Sequence, residues 1–173
     1  NETDIIKTRI AKKIEQDLRD DPYAQEVFSS LLKKAIEEAE ALFNHPLKQY
    51  LLFRSFEEKV DARELDDIPN KLTGNKYAQA YYGVFKKYLP ETLATLNQDN
   101  QMTWVELAFT VEALVNKAVA EYSINPQNIE TEIRKNLLPI LFKECKKVGA
   151  GMDQAKSMVD LIVQITRVGL NKA

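Results

Sequence analysis

Carboxylates are the most plentiful reactive groups in this chain: Glu37, Glu38 and Glu40, then Glu57 and Glu58, then Glu64, Asp66 and Asp67. Close pairs of acids can run acid–base chemistry when their environments differ. A nuclease centre of the Asp…Asp/Glu-x-Lys kind needs its acids on neighbouring strands. Glu57-Glu58-Lys59 has the x-Lys ending but lies in a helical pattern, and Asp66-Asp67 lies in an irregular stretch between helices. These runs read as solvated helix faces, and no hydrolytic centre is expected. His45 is the only histidine, so any Ser-His-Asp arrangement would rest on it alone. It stands beside Pro46 in a helix break and reads as an exposed loop residue. One Cys and one His, 100 positions apart, cannot supply the three or four ligands of a zinc site. Cys145 sits among Lys143, Lys146 and Lys147, which could activate a thiol; a half-buried, inert helical cysteine is the favoured reading. No Gly-x-x-x-x-Gly-Lys-Ser/Thr phosphate loop is present, because Thr73-Gly74-Asn75-Lys76 has one glycine and the wrong spacing. No catalytic, cofactor-binding or metal-binding residue is assigned.

Two segments could bind rather than react. In Asn75 to Tyr88, the side chains Tyr77, Tyr81, Phe85 and Tyr88 share a face and read as core. Tyr82, Lys86 and Lys87 lie off that stripe, and Lys76 opens the segment; aromatic and basic groups together can stack on bases and pair with phosphates. The other segment carries Arg134, Lys135, Lys143, Lys146, Lys147 and, past a glycine turn, Lys156, against only Glu144 and Asp153. Such a surface could touch a phosphate backbone in a salt-dependent way; a solvated face is the simpler reading. The candidate nucleic-acid contacts are therefore Lys76, Tyr82, Lys86, Lys87, Lys143, Lys146, Lys147 and Lys156.

The elements that must position these residues are helices. Ile6, Ile10, Ile14 and Leu18 form a stripe over Thr3–Arg19. Asp21-Pro22 is a cap followed by proline at the first helical position. It opens a helix over Tyr23–Phe43, with Val27, Leu31, Leu32, Ala35, Ala39 and Leu42 facing inward. A third helix follows Asn44-His45-Pro46 to Val60, with Leu47, Leu51, Leu52 and Phe56 on its stripe. Asn75 caps a fourth, which Leu89-Pro90 interrupts, and a short piece spans Glu91–Leu96. Thr103 and Glu106 read as a capping box for a helix to Tyr122, after a linker over Asn97–Gln101. Asn125-Pro126 opens a helix to Lys147 that Pro139 should kink or break. Gly149-Ala150-Gly151 ends it, and Asp153 caps the last helix, to Val168. No alternating run of strand length occurs. The expected fold is all-α, an irregular bundle of about seven or eight helices. Glu64–Gly74 and Asn97–Gln101 are the two places where the chain could divide. The first, longer and richer in breakers, would separate a helical arm, 1–62, from a compact domain, 75–173, unless 1–173 forms one continuous domain.

Composition agrees with a globular chain. Its 173 residues are 45% hydrophobic and 29% charged, and the net charge of −2 provides no global attraction to nucleic acid or acidic lipid. A single cysteine forbids an internal disulfide and fits a reducing compartment. No apolar run reaches the roughly 18 residues that span a bilayer, so no membrane partner is expected. The opening Asn1-Glu2-Thr3-Asp4 has neither an initiator Met nor a signal pattern, which suggests a piece of a longer protein.

Six phrases occur in order along the chain: Thr3 to Arg9, Asp20-Asp21-Pro22-Tyr23, Ala39 to Phe43, Asn75 to Val84, Ser123 to Ile129, and Ile165 to Leu170. With these the chain resembles the carboxy-terminal helical region of the R (motor and endonuclease) subunit of type I restriction-modification enzymes, closest to the branch called IC. The resemblance implies a bacterial, cytoplasmic parent with an amino-terminal nuclease domain and two RecA-like lobes, which would use ATP and Mg2+. It implies modification and specificity subunits, and the parent's other domains, as partners, with double-stranded DNA a further candidate. A helical terminal region of this kind would dock the motor on the methyltransferase core. The family's nuclease and Walker residues have no counterpart here, so none is carried over and no cofactor is assigned to this segment. Two other readings remain: a helical module that binds nucleic acid directly, and an unrelated helical regulatory or interaction protein.

Overall fold

The computed structural model describes residues 1–172. Among them the chain forms eight α-helices and no strand: α1 Glu2–Asp17, α2 Pro22–Glu40, α3 Pro46–Ala62, α4 Lys76–Tyr88, α5 Pro90–Ala94, α6 Gln98–Glu121, α7 Pro126–Lys147 and α8 Met152–Lys172, with one 3-10 turn at Asn70–Leu72. The fold is all-α. No helix is long and apolar enough to cross a membrane.

Side-chain caps set most helix starts. The carboxylate of Asp21 accepts from the Ala24 amide, and the amide oxygens of Asn75 and Asn125 accept from Ala78 and Asn128. Two starts differ from the sequence reading. Asn97 accepts from the Asn100 amide and begins α6 at Gln98, so the expected linker is the first turn of the helix. Thr103 stands inside it, its hydroxyl bonded to the Asp99 carbonyl. At α8, Asp153 lies in the first turn, and Gln154 reaches back to the Gly151 amide. Pro139 does not end α7, which continues from Pro126 to Lys147. Its exposed position leaves the orphaned Lys135 carbonyl open to water, while Leu137 and Leu141 stay anchored in the core. Past Val148, Gly149 takes φ 77°, and the Gly149 and Ala150 amides return to the carbonyls of Lys146 and Cys145. This is a Schellman close, and it needs the left-handed conformation that glycine supplies.

Helix α4 is the axis of the molecule, packed against α2, α6 and α8. Every residue from Ala78 to Phe85 is buried, as in a helix enclosed on all sides. Phe85 meets Trp104 of α6 edge to face, with ring centroids 5.2 Å apart. Close approach of α2 depends on Gly83, where a Cβ would stand 2.6 Å from the Cβ of Tyr23. Helices α1 and α3 run parallel, and one contiguous core joins α1–α3 to α4–α8. The long α7 and α8 form an antiparallel pair, in register through Arg134–Asp160 and Arg167–Glu130.

Leu47 and Leu51 depart from the expected inward stripe. They are 69% and 55% exposed on α3, beside Phe43 in the preceding turn, at 73%. The inward face of α3 belongs instead to Phe53, Glu57 and Val60.

Candidate nucleic-acid interface

The eight candidate residues separate into two groups. On α4, Tyr82 is 1% exposed and packs edge-on against Phe85, with centroids 6.5 Å apart. It cannot stack on a base. Sequence spacing placed it off the aromatic stripe, but a helix surrounded by others buries every face. Burial also raises its hydroxyl pKa. The lysines around it are engaged within the fold. Lys76 Nζ lies 3.1 Å from Asp20 and 5.1 Å from the Tyr77 ring. Lys86 Nζ lies 3.2 Å from Asp67 and 5.7 Å from the Tyr23 ring. Lys87 Nζ lies 3.1 Å from Glu26. These contacts tie α4 to α2 and the loops around it; Tyr82 is removed from the surface, while Lys76 and Lys87 stay exposed beside their acidic partners.

The second group does converge. Lys143, Lys146 and Lys147 line one shallow depression on α7 with Pro139 and Phe142. Residues 135, 139, 142, 143 and 146 recur at helical spacing, opposite the buried Ile133, Leu137, Leu141 and Cys145. Lys146 Nζ stands 5.3 Å above the Phe142 ring, a cation–π contact that holds it near its neighbours. Lys147 is paired with Glu144 at 3.2 Å. Among the described residues, no carboxylate comes within the 4.0 Å of an ion pair of Lys135, Lys143, Lys146 or Lys156. Lys156 is exposed on α8 and does not line this depression. The result is an outward basic stripe, able to meet phosphates but offering no group for bond cleavage. Lysines in the last turn also stabilise α7 through its dipole, so the stripe has a structural role as well.

Cys145 beneath the stripe is fully buried. Burial, with Glu144 adding to it, pushes the thiol pKa up and leaves it unreactive in spite of the lysines. His45 is exposed and makes no side-chain cap for α3. Among the described residues, no three His, Cys, Asp or Glu side chains converge to hold a metal ion.

Sequence reasoning missed the two buried carboxylates around which the chain organises its cations. Glu57, on the inner face of α3, receives Arg9 in a bidentate pair at 2.6 and 2.9 Å, with Lys13 at 3.3 Å and Arg54 at 3.4 Å. The Arg9 hydrogen bonds outweigh burial and, with Lys13, hold its carboxyl down to about 2. Asp20, between α1 and α2, faces Arg63 at 2.8 Å, Lys76 at 3.1 Å and Lys172 at 3.4 Å. Burial alone would raise its pKa, but Arg63 and Lys76 overcome that and lower it. Only the position of Glu57 on the same helical face as Phe53 and Val60 could have marked it, since its partners on α1 lie 44 to 48 positions away.

Comparison with known proteins adds no relative: no family model, no curated protein and no solved structure matches the chain.

Proposed function

We propose that this bundle is the carboxy-terminal assembly and coupling domain of the DNA-translocating R subunit of a type I restriction enzyme. In this reading it docks the motor on the methyltransferase core formed by the modification and specificity subunits. The observation that carries the reading is the ordered set of six sequence phrases, which spans nearly the whole chain. Three of those phrases also lie close together in space. Asp20 faces Lys76, Tyr23 packs on Gly83, and Gly169 packs under Tyr77, where a Cβ would stand 2.9 Å from the hydroxyl. The role is non-catalytic: rigid helices present surfaces, and the ATP- and Mg2+-dependent steps belong to the rest of the parent subunit, in a bacterial cytoplasm. The exposed Phe43, Leu47 and Leu51 at the α2–α3 turn suit such docking. The test is co-elution of this chain with the methyltransferase core at micromolar concentration. Failure to co-elute, together with normal assembly of a parent subunit lacking this region, would overturn the reading.

A second reading has a specific observation behind it. The unpaired lysines of the α7 stripe suit direct contact with the phosphates of double-stranded DNA. Replacing Lys143 and Lys146 by Glu should then weaken binding to a duplex about tenfold or more and lower its salt slope by about 2. Unchanged affinity would reject this reading without touching the first.

A further inference from the structure

Five elements meet around two adjacent acids, Asp20 and Asp21. The end of α1 leads into them and α2 begins on them. Arg63 closes α3, Lys76 opens α4 and Lys172 ends α8, and all three bring cations. Arg63 does so from a left-handed backbone, φ 52°, and donates to the Asp17 carbonyl, as does Lys172. The Arg63 carbonyl in turn accepts from Gln79 of α4 at 2.7 Å.

The two acids are treated unequally. Asp20 faces all three cations, one oxygen toward Arg63 and Lys172 and the other toward Lys76. Asp21 is 1% exposed, and its Oδ1 accepts the Ala24 amide as the cap of α2. Its Oδ2 is buried with no hydrogen-bond partner, as are both Asp20 oxygens and Nη1 of Arg63. What separates the two acids is that only Asp20 stands within ion-pair range of the cations. An ionised Asp21 stands beside a second buried carboxylate and forms no ion pair of its own. Tyr23, the next titratable group on α2, is bonded to Asp67 rather than to Asp21. Protonation removes the unpaired charge and keeps the cap, weakened, because the other oxygen still accepts.

We propose that this junction is a proton-linked seat between the arm α1–α3 and the body α4–α8, tight when Asp21 is protonated and looser when it ionises. The inference is independent of the family role proposed above. Burial comes first among the forces on Asp21 and moves its carboxyl up to about 6, against the Ala24 hydrogen bond and the Arg63 charge. An acid raised on folding stabilises most below its unfolded value, near 4, and that contribution fades as the pH rises through about 6. The window lies just below neutrality, so small changes in pH shift the population of open arm.

Three measurements on the intact chain test the seat. In a carbon-detected NMR titration the Asp21 carboxyl should turn over near pH 6. In urea unfolding the opening constant should rise roughly tenfold between pH 5 and pH 7, against threefold or less for Asp21→Asn, which keeps the cap acceptor. Amide exchange, corrected for its intrinsic pH dependence, should show the loss of protection concentrated in α1–α3 and at Ala24 rather than in α6–α8. A midpoint below pH 5, an equal slope in the Asn variant, or a loss spread evenly over both halves would each overturn the proposal. Should the variant fail to fold, the wild-type titration and exchange decide it.

Discussion

At the scale of single residues, a few buried charges organise the interior. Glu57 is the clearest case, a carboxylate held among three basic side chains between α1 and α3. Its pKa is depressed on folding, so its contribution is present above about pH 4.5 and lost as the pH falls through about 2. Arg9 and Lys13 keep partial access to water and can rehydrate when the acid is removed, which moderates the cost. Glu57→Gln should therefore destabilise the fold by about 1–2 kcal/mol at pH 7, with the difference from wild type closing near pH 2. Urea midpoints at the two pH values measure this. An equal deficit at both would mean that packing of the side chain, not its charge, matters.

At the scale of elements, the critical fits are backbone approaches. The two glycines of helix–helix contacts meet different obstacles. At Gly83 an added Cβ strikes the Cβ of Tyr23, which is fixed to the backbone of α2. At Gly169 it meets the hydroxyl end of Tyr77, a long side chain that can swing aside. Gly83→Ala should cost about 2–3 kcal/mol by forcing α2 from α4, and Gly169→Ala under about 1 kcal/mol. Thermal unfolding of the two variants checks the order, and comparable losses would contradict it. The same elements show why helix boundaries were only partly legible. Asp21 and Asn125 announce their helices by residue type and the proline that follows, and Asn75 by residue type alone. Asn97 is equally a cap, yet a polar run after it reads as a linker, because the first turn of α6 is exposed and carries no apolar stripe.

At the scale of the whole molecule, burial of Cys145 ties its chemistry to global unfolding. It lies under α7 in the core shared by α6, α7 and α8, with its thiol held protonated by desolvation. Labelling by an aromatic disulfide at pH 8 should be slow in native protein and fast in denaturant. Its native rate should track the opening equilibrium, falling when a stabilising ligand or salt is added. Fast labelling under native conditions would show that α7 opens locally and that its basic stripe rests on a mobile element. The stripe itself exists only at this scale. Lys143 and Lys146 are outward because Leu137, Leu141 and Cys145 are inward, while the neighbouring acids Glu144 and Asp160 pair with Lys147 and Arg134.

The sequence by itself determined the all-α class, most of the helices and their caps, since these depend on periodicity and on contacts within four residues. It also determined that the chain has a single histidine, a single cysteine and no Gly-x-x-x-x-Gly-Lys-Ser/Thr loop. Tertiary structure alone decided which polar groups are used up. Tyr82 became core because α4 is enclosed, Leu47 and Leu51 stayed outside because Glu57 and its neighbours hold the inner face of α3, and Asp20 acquired partners from positions 63, 76 and 172. Those outcomes depend on which helix covers which, and pairings across so many residues leave no trace in local spacing.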